Sequence, residues 1–284
     1  MEGTGNDYVY IDLFDQSVSD PAKLAREISH RKFGIGADGM VLIGPSEIAD
    51  GKMIMYNADG SRAEMCGNAI RCVGKYLWDH QRVKSAGLKI ETDAGVKRLE
   101  LKFSSKNRVS GVVVDMGAPV LKPNMIPCRI GGESFIDKEL DFEGLRLRGT
   151  LVSMGNPHFV VFDETIEKVP LEIWGPMVEN SSLFPNRINL EFVQLIDRNR
   201  VTQRTWERGS GETWSCGTGA CAVGVAGALT GRTDNRLTVQ LKGGDLSVSW
   251  EGEGHSVFME GPARTVFTGE YPIDDSIEAR PRLK

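Results

Sequence analysis

The chain repeats itself with a constant step. Gly5-Asn6-Asp7-Tyr8-Val9-Tyr10-Ile11 returns as Gly155-Asn156-Pro157-His158-Phe159-Val160-Val161, so that Asn6 and Asn156 stand 150 positions apart. Cys66 and Cys216 keep that step, as do Asn57 and Glu207. Further on the step barely drifts: Gly95 and Gly244 are 149 apart, and Gly117-Ala118-Pro119 returns as Gly261-Pro262-Ala263. A constant offset over so many points marks a duplication. A duplicated α/β unit pairs about a pseudo-twofold axis and brings equivalent points face to face. On that reading Cys66 and Cys216 meet across a cleft. The 284 residues suit two domains rather than one core. The expected division is 1–117 and 118–264, with the tail 265–284 crossing back to complete the sheet of the first.

Within the first repeat, the β-branched and aromatic run Tyr8 to Leu13 predicts a strand. Asp20 as N-cap with Pro21 behind it predicts a helix over 21–31. Short strands are expected at 40–43 and 53–56, then a turn at Asn57-Ala58-Asp59-Gly60. Ile70, Val73 and Leu77 recur at helical spacing and predict a helix over 68–82. Strands follow at 88–92, 97–103 and 109–116. In the second repeat, the segment Ala220 to Leu229 is small and apolar on every face, which predicts a helix buried all round. Sheets wrapped about a central helix account for it. The expected fold is therefore α+β: two pseudo-symmetric domains from an internal duplication, each a mixed β-sheet or barrel around one helix.

Composition narrows the partners. A net charge of -5 with no run of Lys or Arg argues against nucleic acid or an anionic membrane. No apolar stretch reaches the length of a membrane span, and Met1-Glu2-Gly3-Thr4 does not resemble a signal peptide, so the expectation is a cytoplasmic protein acting on a small molecule. The five cysteines, Cys66, Cys72, Cys128, Cys216 and Cys221, are odd in number and too sparse for a disulfide scaffold. Neither Cys66/Cys72 nor Cys216/Cys221 has C-x-x-C spacing, and the four histidines are scattered, so no metal site is expected. Gly34-Ile35-Gly36-Ala37-Asp38-Gly39 spells G-x-G-x-x-G, but it follows a helix and precedes a strand, the reverse of a dinucleotide-binding unit, and reads as a turn.

What remains is a matched pair of helix starts, Cys66-Gly67-Asn68-Ala69 and Cys216-Gly217-Thr218-Gly219. A helix N-terminus lowers the pKa of a thiol and makes it a usable base or nucleophile. Its unpaired N–H groups bind carboxylate. A carboxylate held between two such starts places the neighbouring carbon between two sulfurs, one on each face, which is the geometry of a racemase. Oriented N–H donors stabilise the charge that grows when the α-proton leaves, so no cofactor is required. The two ionisations are coupled.

Taken together, Gly5-Asn6-Asp7-Tyr8, Asn57-Ala58-Asp59-Gly60-Ser61, Cys66-Gly67-Asn68-Ala69-Ile70-Arg71-Cys72, Gly155-Asn156-Pro157-His158, Glu207-Arg208-Gly209 and Cys216-Gly217-Thr218-Gly219-Ala220-Cys221 closely resemble the diaminopimelate epimerase family. The resemblance implies cofactor-independent interconversion of LL- and meso-diaminopimelate, for lysine and peptidoglycan synthesis, by a homodimer of two-domain subunits that close over substrate. Carried over by position, it implies Cys66 and Cys216 as the acid/base pair and the N–H groups of Gly67, Asn68, Gly217 and Thr218 as the carboxylate site. It implies Glu207 as partner of the reacting ammonium, and Asn6, Asn57, Asn156, Asn189 and Arg208 as the grip on the distal head. His158 is a candidate to shape the site. Some relatives carry glutamine where Gly39 stands, and many have a few strand residues ahead of the glycine equivalent to Gly3. Three rival readings share these residues: a proline racemase-like enzyme, which has no use for a distal-head grip; a thiol redox protein cycling a Cys66–Cys216 disulfide; and a non-catalytic amino-acid-binding protein.

Overall fold

The computed structural model describes residues 1–273, and the duplication is visible in its strand pairing. In the first half, the strand Asn6–Asp12 runs parallel to Gly39–Gly44, which pairs antiparallel with Gly51–Asn57. In the second, Pro157–Phe162 runs parallel to Asn189–Asp197, which pairs antiparallel with Arg200–Glu207. Both halves then add a short return strand, Arg62–Ala63 or Gly211–Thr213, that leads into the cysteine. After the helix, Gly87–Thr92 and Arg236–Leu241 each lie parallel to the earlier strand, and two antiparallel strands complete each half. The halves join where their final strands, Val109–Gly117 and Val257–Gly261, pair antiparallel, with Val114 opposite Met259. Like meeting like in antiparallel sense is what a pseudo-twofold axis produces. Arg264 bridges back to Glu2, and Val120 bridges to Ser153, so the segment after each half touches the opening of the other. The remainder of the tail expected to complete the first sheet, residues 274–284, lies outside the described residues.

Among the described residues four α-helices accompany the strands: α1 (Pro21–Ser29), α2 (Gly67–Asp79), α3 (Leu171–Glu179) and α4 (Gly217–Leu229). Asp20 caps α1 by accepting from the Lys23 N–H, as its sequence predicts. The helix ends two residues short of the expected Arg31, because His30 leaves helical geometry and its Nδ1 accepts from the Lys32 and Phe33 N–H groups. Helix α2 likewise stops at Asp79 rather than near Arg82, since Gln81 takes a left-handed φ of 56°. Of the glycine-rich stretch 34–39, residues 34–38 form the turn after α1 and Gly39 opens the strand that follows. Helix α3 and the strands Lys138–Phe142 and Leu145–Ser153 lack a counterpart in the sequence reading.

One core cluster contains both central helices. It takes Ile70, Val73 and Leu77 from α2, Ala220, Val223 and Val225 from α4, and Val114, Val248 and Met259 from the strands around them. Two outer clusters sit under α1 and α3. The small residues of α4 let strands approach its axis: a Cβ on Gly224 would stand 2.6 Å from Val248 Cγ1. Replacing Gly224 by leucine overfills that contact and lowers unfolding stability by about 3 kcal/mol. The urea midpoint measures this; an unchanged midpoint would mean the helix is not pressed against that strand.

Candidate active site

Both cysteines occupy the N-cap of their helix in extended backbone, with φ of -133° at Cys66 and -118° at Cys216. The first bonds within the helices run from the Ile70 N–H to the Cys66 carbonyl and from the Ala220 N–H to the Cys216 carbonyl, each 2.9 Å. The N–H groups of Gly67 and Asn68, and of Gly217 and Thr218, precede that first turn and have no intrahelical acceptor. The two starts touch. Asn68 Nδ2 donates to the Ser215 carbonyl at 3.3 Å and to Ser215 Oγ at 3.1 Å, and Thr4 Oγ1 lies 2.5 Å from the same hydroxyl. Met259 packs beneath both, where side chains at Gly67 or Gly217 would collide with it.

Each thiol has its own surroundings. Cys66, half-buried, donates to Asn6 Oδ1 at 3.4 Å, and Asn6 Nδ2 donates to Asp38 at 2.7 Å. Cys216 is buried; its sulfur accepts from the Gly219 N–H at 3.3 Å and lies 3.6 Å from Thr218 Oγ1. Asn156 Nδ2 donates to Thr218 Oγ1 at 3.2 Å, and Asn156 Oδ1 faces His158 Nε2 at 3.1 Å. The other ring nitrogen of His158 meets Glu191 Oε1 at 2.7 Å, both side chains fully buried. Glu207 accepts from the Thr213 hydroxyl and interacts with Cys216.

Electrostatics correct one sequence expectation. Helix starts alone would lower both thiols, yet burial pushes Cys66 up. The Ala69 and Asn68 N–H groups oppose that rise, Glu207 adds to it, and Arg71 opposes it. Cys216 lies well above the ordinary thiol range, through burial first and then the Glu207 and Glu191 carboxylates. Desolvation outweighs the oriented N–H groups because a thiolate loses its water whether or not two or three donors point at it. Burial likewise raises Glu207.

The remaining candidates fall in two places. Asn189 Oδ1 accepts from the Arg208 N–H at 2.9 Å, while its buried Nδ2 has no partner. Arg208 donates from Nη1 to the Asn186 carbonyl at 3.0 Å. In register, Asn189 lies opposite His158. Asn57 spends its Nδ2 on Ser61 Oγ at 3.0 Å and contacts none of the other candidates through that group. At Gly39, where some relatives carry glutamine, a Cβ would fall 2.2 Å from the Tyr56 carbonyl, so the backbone itself fills that space. Sequence reasoning missed Thr4, Ser215, Glu191, Thr213 and Asp38 as neighbours of the site. None lies in a position the repeat marks: the counterpart of Ser215 is Met65, for example. Among the described residues no group of three or more His, Cys, Asp or Glu side chains gathers to hold a metal, and no helix is long and apolar enough to cross a membrane.

The family that the chain's sequence matches makes it an isomerase of the racemase and epimerase class. The family model described as diaminopimelate epimerase matches residues 1–122 and 150–266. The chain belongs to the diaminopimelate epimerase family. A diaminopimelate epimerase of Acetivibrio thermocellus is 49% identical over 275 residues, covering 97% of this chain and 98% of that one. One from Methanococcus maripaludis is 48% identical over 273 residues, covering 96% and 98%. A hydroxyproline epimerase from Agrobacterium vitis, solved with bound trans-4-hydroxy-L-proline, is 16% identical and shares the fold at a TM-score of 0.61 over 92% of this chain and 86% of that one.

Proposed function

We propose that the protein epimerises LL-diaminopimelate to meso-diaminopimelate, in lysine and peptidoglycan precursor synthesis, with Cys66 and Cys216 as its two bases. The observation that carries the mechanism is the contact of two thiol-capped helix starts through Asn68 and Ser215. One thiolate removes the α-proton from one face of the carbon, and the opposite thiol delivers its own proton to the other face. The substrate leaves inverted and the two sulfurs have exchanged roles. The N–H groups of Gly67, Asn68, Gly217 and Thr218 hold the reacting carboxylate and stabilise the charge that moves onto it. No cofactor enters this chemistry.

Glu207 pairs with the reacting ammonium. That pairing removes the repulsion Glu207 exerts on both thiols in the empty site, so substrate binding itself favours ionising one of them. Asn6, Asn57, Asn156, Asn189 and Arg208 grip the distal head; the unpartnered buried Nδ2 of Asn189 supports this, because a donor left without an acceptor is costly unless a ligand supplies one. Arg208 suits a planar carboxylate. His158 shapes the site by holding Asn156. Asn57 and Glu207 occupy equivalent points of the repeat and differ in charge, so only one end of the substrate reacts. The same reading treats 1–117 and 118–264 as two units that close over the substrate in a cytoplasmic homodimer, supported by the family and by the residue pattern.

Solvent deuterium is the test. Reduced, folded protein in D₂O incorporates deuterium at the reacting α-carbon of diaminopimelate at least as fast as it inverts that centre. Inversion without exchange, or no exchange at all, would overturn the two-base reading.

A further inference from the structure

Helix α3 ends on a carboxylate that takes three donors. Glu179, only 6% exposed, accepts from Trp206 Nε1 at 2.7 Å, from the Gly209 N–H at 2.8 Å and from Arg187 Nη1 at 3.1 Å. Trp206 and Gly209 flank Glu207 and Arg208 in the chain, so one side chain grips both sides of that dipeptide. Hydrogen bonds to a carboxylate are among the strongest a protein makes, and Arg187 balances the charge. The helix is shaped for this contact. A Cβ on Gly175 would fall 2.3 Å from Trp206 Cδ2, so the indole lies directly on the helix backbone.

Two routes lead from Glu179 to Arg208. One is direct, through the Gly209 N–H that follows Arg208 in the chain. The other runs through Arg187, which takes a left-handed φ of 59° in the loop after α3. The same loop supplies Asn186, whose carbonyl accepts from Arg208 Nη1 at 3.0 Å, and leads to Asn189, whose Oδ1 accepts from the Arg208 N–H at 2.9 Å. Glu207 is held separately, by Thr213 and by the pairing of its strand with Gly211. The repeat supplies a control. Helix α1 stands 150 positions before α3 at both ends, and Ser29 occupies the place of Glu179. Ser29 is buried, and its hydroxyl has no hydrogen-bond partner among the described residues. Helix α1 packs on its own turn all the same: a Cβ on Gly60 would lie 2.6 Å from the Ala22 carbonyl. Seating the helix on the turn therefore needs no carboxylate. The position equivalent to Arg208 is Ala58, which has no side chain to aim. The carboxylate stands in the half that carries the arginine.

We infer that Glu179 is a positioning residue for Arg208: it fixes the backbone on both sides of the arginine and so sets where the guanidinium meets the distal carboxylate of the substrate. This rests on the reading of Arg208 as part of the distal-head grip. Glu179 touches no substrate in this scheme. The distal head is remote from the bond that changes, so an interaction there is made equally before and during the reaction. Loss of Glu179 therefore falls on binding and leaves the chemical step, raising KM at nearly constant kcat.

The experiment compares the reduced full-length wild type with Glu179→Gln and Glu179→Ala, by steady-state kinetics on diaminopimelate and by calorimetric titration with the same compound. Glutamine keeps the volume and one acceptor but turns an NH₂ group toward a donor. KM and Kd rise about tenfold in the Gln variant and further in the Ala variant, while kcat stays within about twofold of wild type. In an Arg208→Ala background, Glu179→Gln changes Kd by less than about twofold, because the group it positions is gone. A folded Gln variant with the wild-type Kd overturns the inference. So does a variant whose kcat falls at constant KM, the mark of a smaller folded fraction, or an effect on Kd undiminished in the Arg208→Ala background. If the Gln variant does not fold, Glu179→Asp, which keeps the charge but withdraws it from the Gly209 N–H, takes its place in the comparison. Titration needs no turnover, so this result stands apart from the deuterium experiment: a wild type that binds diaminopimelate without exchange would remove the two-base reading and leave the Glu179 comparison measured.

Discussion

Alanine at either Cys66 or Cys216 lowers the rate of inversion by at least about 10³-fold, the scale set by losing a positioned acid or base, and the two variants fail in opposite stereochemical senses. With one sulfur gone, the other can still remove the α-proton from the epimer that presents it, and the deuteron returns to the same face. Each variant therefore exchanges one epimer with solvent without inverting it and leaves the other untouched. The variant that exchanges the LL centre is not the one that exchanges the meso centre. Binding survives, because the carboxylate is held by backbone N–H groups that the substitution leaves in place. The measurement is NMR of each purified epimer incubated with each variant in D₂O. If both variants exchange the same epimer, or either inverts at the wild-type rate, the sulfurs are not on opposite faces of one carbon and the mechanism is wrong.

Replacing Glu207 by glutamine separates function from stability. The carboxylate is placed to pair with the substrate ammonium, and deleting one partner of a buried charge pair costs about 2–5 kcal/mol, so kcat/KM falls by about 10²-fold or more. Stability moves the other way. Burial raises the folded-state pKa of Glu207 above its unfolded value. The stability this group contributes is therefore present below the unfolded pKa and is lost as pH rises through the folded one. At pH 7, well above the unfolded pKa, burying this carboxyl costs the native protein stability, and glutamine removes that burden while keeping an acceptor for the Thr213 hydroxyl. Tm at pH 7 rises by about 2 °C or more. Near pH 4 the gain shrinks, because the wild-type carboxyl is then largely protonated in both states. Thermal unfolding of the two proteins at both pH values decides it: a Tm that falls at pH 7, or a gain that does not shrink in acid, would show that Glu207 is not held against its charge.

Both results bear on how Asn57 and Glu207 divide the site. The repeat makes them equivalent and the structure keeps them equivalent in register: the Gly60 N–H bonds to the Asn57 carbonyl, and the Ser210 N–H closes the matching turn onto the Glu207 carbonyl. Their environments differ. Glu207 is drawn toward Cys216 and Thr213, whereas the Asn57 amide is turned to Ser61 at the surface.

The sequence by itself determined the duplication, the two thiol-capped helix starts and the buried helix α4. All three depend on local spacing and residue type: a constant step, a cysteine before glycine at a helix start, and a run of small apolar residues that no solvent-exposed helix would carry. The sequence also pointed to the family, through six motifs in order. Only the tertiary structure decided how the starts are coupled and charged. The bond from Asn68 to Ser215 crosses 147 positions, and the buried side chain of Arg71 packs against Gly3 and Gly261 from opposite ends of the described chain. No local pattern encodes such contacts, because they exist only when the final strands of the two halves pair and bring Met259, Pro262 and Thr4 beside α2. The thiols show the difference most clearly. Spacing placed both at helix starts, where oriented N–H groups lower a pKa; burial then raised both, with the Glu207 carboxylate adding to the rise of each and Glu191 to that of Cys216. Desolvation depends on what surrounds an atom in three dimensions, and that is the quantity a linear sequence does not display.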